Sequence, residues 1–489
     1  MKINKKYWIL YIIVGIVGLL GAFRFALSPI DKVSSVIDSL ATMESMKAGQ
    51  ISFTLLDENG KMLVQKNSAT ALMPASTLKV VTTGVALEML SDTFRFSTCL
   101  AYSGTIKNDV LKGNICIKGS GDPSLGASRF KGYPDFKELI ELWVEAIKKE
   151  GIKSITGNIV ADPSVFGMNT LPPGWVWTDI GNYYGAGASG LNLNENSYRL
   201  YFKPGVREGE KATFIRTEPD LPYLSFINEM KTGSQGSGDN GYIFGGIFSN
   251  TKYLSGTIPA GRTEFFIQGA IPDPAFFCAY ALQTALERGG VNVLGASING
   301  QKEAVSTDGT CISICCNQSP PLSDLIKKTN YYSINLYAEA LLKRLGYEET
   351  GKGTTENGIE VVKNWLQQKG IEGNSFFMKD GSGLSPANAI SSKNLATILF
   401  KLKGNATFVH SLPVAGQSGT LYNVCKNAPA SGKICAKSGS FARVLCYSGY
   451  VNTIEGKLLP FSILVNNFAG SSSPIKKKIE EIMNAMVAI

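Results

Sequence analysis

The chain has 489 residues, long enough for roughly two to four ordinary domains around a sizeable core. Hydrophobic residues make up 44% and charged residues 18%, a globular composition that excludes disorder and collagen. The single histidine, His410, rules out a zinc peptidase of the H-E-x-x-H kind, which needs two on one helical face. It reads instead as a helix C-terminal cap, so the base of any enzyme here is another residue.

The net charge of +9 is spread along the chain, and its densest run, Lys476-Lys477-Lys478, is followed by Glu480-Glu481. A nucleic-acid partner needs a basic stripe, so none is expected. Nine cysteines include no C-x-x-C, and the carboxylates are scattered, so neither a metal site nor a cofactor is expected.

Lys2, Lys5 and Lys6 precede an apolar run over residues 7–23 that Arg24 ends. A basic start before such a run is an export address. A bilayer span takes ~20 residues and a signal core ~7–15, so the 17-residue run fits either a signal peptide or a membrane anchor, and an uncleaved anchor is the preferred reading. Residues 1–28 are assigned to that role, with the rest in the periplasm or on the outer face of the cytoplasmic membrane.

Next come a short helix over 31–48 and a hairpin over 50–65 that turns at Asp57-Glu58-Asn59-Gly60. Pro74 and Ser76 mark the start of an apolar helix running to Leu90. Short β-like runs and many glycines then fill 94–275, with one helix over 134–150. Helical periodicity returns at 273–289, 322–345 and 357–369, before strands over 432–440, 442–451 and 458–466 and a closing helix from Pro474. A helix-and-sheet region, 29–95 and 273–489, is thus split by a β-rich insert, 96–272. Cys99 and Cys116 flank one expected hairpin and Cys435 and Cys446 another. Either pair is a candidate cross-strand disulfide, or a pair of buried thiols.

Three short elements carry reactive groups. Ser76 and Lys79 stand at i and i+3 of a helix start, where side chains meet and a backbone N–H faces outward. Ser333-Ile334-Asn335 lies at a helix boundary. Lys437-Ser438-Gly439-Ser440 lies on a strand, where Gly439 lets a ligand approach closely. Lys231-Thr232-Gly233 also spells K-T-G, but it precedes Ser333 and runs into a glycine-rich loop, so it is set aside.

The order S-x-x-K, S-x-N, K-[ST]-G resembles the penicillin-recognising serine acyltransferases. The intervals, 257 residues from Ser76 to Ser333 and 104 from Ser333 to Lys437, are similar to the class C low-molecular-mass penicillin-binding proteins, the D-alanyl-D-alanine carboxypeptidase/endopeptidases. Gly121-Asp122-Pro123, Leu191-Asn192-Leu193-Asn194-Glu195-Asn196, Asp380-Gly381-Ser382-Gly383-Leu384-Ser385 and Ser411-Leu412-Pro413-Val414-Ala415-Gly416 extend the resemblance over roughly 50–470. One departure is K-S-G-S where the family has K-T-G-T; serine keeps the hydroxyl and loses a methyl.

The resemblance implies an α+β fold: an antiparallel sheet flanked by helices, interrupted by one or two small β-rich domains. It also implies a peptidase acting on peptidoglycan stem peptides through an acyl-enzyme on Ser76, inhibited by β-lactams. Lys79 and Ser333 would move protons, Asn335 would meet the substrate amide, and Lys437, Ser438, Gly439 and Ser440 would hold its carboxylate and oxyanion. For Lys79 to act as a base near pH 7, its pKa has to fall from ~10.4 to near 7, a bias of ~4 kcal/mol against the ammonium; burial and Lys437 as a second cation both push that way. Two alternatives keep the fold and change the function: a β-lactamase or related esterase, and a catalytically silent cell-wall binding protein.

Overall fold

Strands β1 (Gln50–Leu56) and β2 (Met62–Lys66) form the expected hairpin, with Asp57 accepting from the Asn59 and Lys61 N–H groups to close the turn. The computed structural model describes residues 28–305, 307 and 311–489; the expected anchor over 7–23 lies outside them. Among the described residues no helix is long and apolar enough to cross a membrane.

The hairpin joins β3 (Ile434–Phe441), β4 (Val444–Asn452) and β5 (Leu458–Asn466) in a five-stranded antiparallel sheet of order β2-β1-β5-β4-β3. Alternation sorts its side chains. Phe53, Leu55, Leu445, Tyr447, Phe461 and Ile463 point into one apolar layer, which α1 (Pro29–Ala41) and the closing helix Ser472–Val487 cover. Val444, Cys446 and Tyr450 point into the opposite layer, with α2 (Lys79–Leu90) and helix Ser392–Leu402. Covered on both sides, β4 is apolar almost throughout.

The expected helix over 322–345 is two: α3 (Leu322–Tyr332) and α4 (Asn335–Thr350). Ser333 ends the first in the left-handed region, φ 59° and ψ 40°, and the chain turns there.

The insert reaches further along the chain than 96–272. Strand Ile312–Gln318 pairs antiparallel with Ser97–Tyr102 in a mixed sheet that continues through Ile115–Lys118, Ile159–Asp162 and Ser297–Asn299. Helix Pro274–Arg288 packs on this sheet beside helix Phe136–Lys149, which a capping box at Asp135 and Glu138 starts. The return to the main region thus comes at Leu322 rather than at Asp273, because one apolar cluster, including Trp143, Phe277 and Leu286, needs both helices to close. A second β-rich part, between Ser197–Lys203 and Phe265–Ala270, shares that cluster through Tyr198 and Phe202.

Neither candidate pair forms a disulfide. Cys99 is bonded to Cys316, its directly opposed neighbour across the 97–102 and 312–318 strands, whereas Cys116 lies opposite Ala101 and packs 3.9 Å from the Cys311 sulfur. Cys435 lies opposite Tyr450 and Cys446 opposite Gly439, so register keeps those two apart.

Candidate active site

The turn that carries Ser76 is strained. Ala75 has φ +46°, a region an L-residue adopts at some cost, and residues Ala75–Leu78 form a single 3-10 turn that leads into α2. The Ser382–Gly383 loop and β3 hold it from two sides. A Cβ on Gly383 (φ +80°) would stand 1.9 Å from the Ala75 carbonyl oxygen, and one on Gly439 would stand 2.6 Å from the Pro74 carbonyl oxygen and 2.9 Å from the Ser76 nitrogen. Both glycines are demanded by close backbone approach.

Lys79, fully buried, donates from Nζ to Ser76 Oγ at 3.0 Å, to Asn335 Oδ1 at 2.7 Å and to the Ser382 carbonyl at 2.7 Å. Burial lowers its pKa to about 7, against the pull of the Asp380 and Glu339 carboxylates. Of the two causes expected from the sequence, burial is therefore the one that lowers it. Lys437 is also fully buried and lies well below its usual range, through burial first and the charge of Lys79 second. Its Nζ donates to the Ser438 carbonyl at 2.7 Å.

The candidate residues of β3 divide between its faces. Lys437 and Gly439 turn inward, Ser438 Oγ donates to Thr420 Oγ1 at 2.8 Å, and Ser440 is exposed. Residues 413–415 cover the outer edge of β3 only as far as Ala436, whose N–H bonds the Pro413 carbonyl. Asn335 donates from Nδ2 to the Tyr184 carbonyl of the insert at 2.8 Å. Ser333 is half-buried, and among the described residues its hydroxyl has no hydrogen bond; the fold brings Ser76 and Asn335 onto the Lys79 amine and gives Ser333 no hydrogen bond to any of the three. Lys231-Thr232-Gly233 is a short strand of the insert, with Thr232 Oγ1 accepting from the Gly205 N–H.

Two carboxylates have no assigned role in the sequence reading. Glu339 accepts from the Gly381 and Ser382 N–H groups at 3.0 and 2.8 Å. Asp380 accepts from the Gly383 and Ser385 N–H groups, Asn388 Nδ2 and Trp175 Nε1, at 2.6–2.8 Å. Together they shape the loop whose Ser382 carbonyl meets Lys79. Burial raises both, with Glu339 pushed up to about 8 by burial and the neighbouring Asp380 charge. Asn335, Glu339 and Lys343 form a buried polar stripe on α4, the last donating to the Asn169 and Ala188 carbonyls of the insert. Their spacing of four in a helix otherwise rich in Leu and Ala is a cue the sequence does contain.

Residues 33–489 match the D-Ala-D-Ala carboxypeptidase 3 (S13) family. The chain belongs to that family. It is accordingly a serine-type D-Ala-D-Ala carboxypeptidase, as the motif order implied. The enzyme is 29% identical over 445 residues to the D-alanyl-D-alanine carboxypeptidase of Actinomadura sp. (strain R39), covering 88% of this chain and 79% of that protein. It is 25% identical over 468 residues to the D-alanyl-D-alanine carboxypeptidase DacB of Haemophilus influenzae, covering 94% of each. The solved structure of penicillin binding protein 4 (dacB) from Haemophilus influenzae matches its fold with a TM-score of 0.79 at 23% identity, over 94% of this chain and 99% of that one. The enzyme thus has the expected α+β architecture.

Proposed function

We propose that Ser76 is the nucleophile of an acyl transfer on peptidoglycan stem peptides and that Lys79 is its base. The carrying observation is the set of partners around the Lys79 amine. A neutral amine has two N–H donors and one lone pair. Asn335 Oδ1 and the Ser382 carbonyl can only accept, so they take the two donors, and the lone pair falls to Ser76, the one partner with a proton to give. A pKa of about 7 makes that neutral form available at physiological pH.

In this reading Lys79 takes the Ser76 proton as Oγ bonds to the carbonyl carbon between two D-alanines. The oxyanion meets the backbone N–H groups of Ser76 and Ser440. The C–N bond then breaks, the departing amine takes the proton back from Lys79 by way of Ser333, and water hydrolyses the ester. The open edge of β3 beyond Ala436 lets the substrate backbone add as a strand, with Asn335 at its amide and Lys437, Ser438 and Ser440 at its terminal carboxylate. Both carboxylates that act on Lys79 are tied to backbone N–H groups, which favours slow hydrolysis of a penicilloyl ester over β-lactamase turnover. The Cys99–Cys316 disulfide supports an oxidising compartment outside the cytoplasm, with residues 7–23 as the anchor.

The test is mass spectrometry of residues 28–489 after benzylpenicillin treatment and digestion. A stable adduct on the peptide carrying Ser76, absent from Ser76→Ala, is expected. A folded Ser76→Ala protein that still hydrolyses D-Ala-D-Ala substrates overturns the assignment.

A further inference from the structure

Strand Ser297–Asn299 lies at one edge of the mixed sheet of the insert and Ile312–Gln318 at the other, so the connection between them crosses a face of that sheet. Alternation shows which face. Leu100, Ile117 and Ala161 point into the apolar cluster that the two helices of the insert cover. Ala101, Cys116 and Val160, directly opposed across three neighbouring strands, point the other way. They form a small apolar cluster of their own, with Val305 and Cys311 of the connection packed against it.

Two free thiols meet there. Cys311 Sγ lies 3.9 Å from Cys116 Sγ and 3.4 Å from the Thr307 carbonyl oxygen, and the Thr307 hydroxyl donates to Asp162 Oδ2 on the same sheet. Cys116 is buried on the middle strand, whereas Cys311 is only half-buried and open to a reagent. Bringing 3.9 Å down to the ~2 Å of an S–S bond takes a shift of about 2 Å at that half-buried partner. The other cysteines of the insert are placed elsewhere. Cys315 lies opposite Leu100 and packs with Cys278 in the helix-covered cluster, on the far side of the sheet from Cys116. Cys99 and Cys316 are already bonded to each other.

We propose that Cys116 and Cys311 are a second disulfide-forming site, closed by exchange with an external disulfide of the glutathione class, and that the bond fastens the connection to the middle strand. Cys311 gives its proton to water and attacks the external disulfide, forming a mixed disulfide and expelling one thiolate. Cys116 then loses its proton and attacks the Cys311 sulfur, expelling the second thiolate. The two protein thiols give up two protons and two electrons, and the external disulfide is reduced to two thiols. Burial first, and the Cys311 charge next, push the Cys116 thiol up to about 12. The closing step is therefore the slower one, and the pair stays reduced where no such oxidant is supplied.

The experiment reduces the enzyme with dithiothreitol, reoxidises it with oxidised glutathione and blocks the remaining thiols with iodoacetamide in denaturant. An unreduced tryptic digest is then analysed by mass spectrometry, with far-UV circular dichroism before denaturation reporting an intact fold. Peptide 113–118, which holds Cys116, is expected linked to peptide 303–327, which holds Cys311, Cys315 and Cys316. The link should persist in Cys315→Ser and vanish in Cys311→Ser. Alkylated Cys116 in the reoxidised parent, with Cys99 and Cys316 bonded, overturns the proposal, and so does a link that survives Cys311→Ser. Under native conditions, trypsin cleavage after the exposed Lys302 is expected about 10-fold slower in the reoxidised parent than in reoxidised Cys311→Ser, which keeps the Cys99–Cys316 bond. Equal cleavage rates overturn the fastening role.

Discussion

The α-carbon of Gly439 faces the backbone nitrogen of Ser76 so closely that a methyl group there would lie 2.9 Å from it. The third motif therefore packs against the main chain of the first, and its glycine sets the separation at which an oxyanion would sit between the two.

Gly439→Ala tests that separation. The new methyl also meets the Pro74 carbonyl oxygen at 2.6 Å and the Thr77 nitrogen at 2.9 Å, all backbone atoms, so β3 and the serine turn must part. The rate of acylation by benzylpenicillin is expected to fall about 100-fold, the scale of a ~1 Å misplacement. A variant that acylates at the parent rate would show that the turn yields without consequence.

Acylation should depend on pH through Lys79. Its pKa lies near 7 instead of the ordinary ~10.4, and in the proposed mechanism the neutral amine is the active form. The second-order rate for benzylpenicillin is expected to be low at pH 5, to rise through pH 7 and to level off above pH 8. Stopped-flow acylation across this range checks it, and a flat profile would remove Lys79 as the base.

Trp175 ties the insert to the loop whose Ser382 carbonyl meets Lys79, donating from Nε1 to Asp380 Oδ2 at 2.8 Å in a buried setting. Trp175→Phe leaves a buried carboxylate oxygen short of one donor, a loss of about 1–3 kcal/mol. A lower Tm is expected, together with several-fold slower acylation as the Ser382 carbonyl loses its fixed position beside Lys79. Unchanged acylation with a lower Tm would make the contact structural alone.

The Cys99–Cys316 bond closes a loop spanning 217 residues of sequence and ties the strand that enters the insert to the one that leaves it. Disulfides typically contribute about 2–4 kcal/mol, mainly by restricting the unfolded chain. Dithiothreitol, or Cys99→Ser with Cys316→Ser, is expected to lower the Tm in a thermal-unfolding scan, while Cys435→Ser and Cys446→Ser should show no sensitivity to reductant beyond that of the parent.

Features that depend on neighbours in sequence are legible in the sequence itself. Ser76 and Lys79 meet because three residues make one helical turn, and the β1–β2 hairpin follows from alternating apolar residues around Asp57 and Gly60. The order and spacing of the three motifs carried the family and the enzyme class. Nothing local placed the Ser382 carbonyl or Asn335 on the Lys79 amine, across 303 and 256 residues. Nor did local pattern reveal the left-handed break at Ser333, the return to the main region at Leu322, or Cys316 as the partner of Cys99. Those were decided by strand register and by which apolar faces close on one another, quantities set between distant segments. The depressed pKa of Lys79 belongs to the same class: the lowering comes from complete burial beside two carbonyl-type acceptors and a serine, and burial is decided by packing between distant segments.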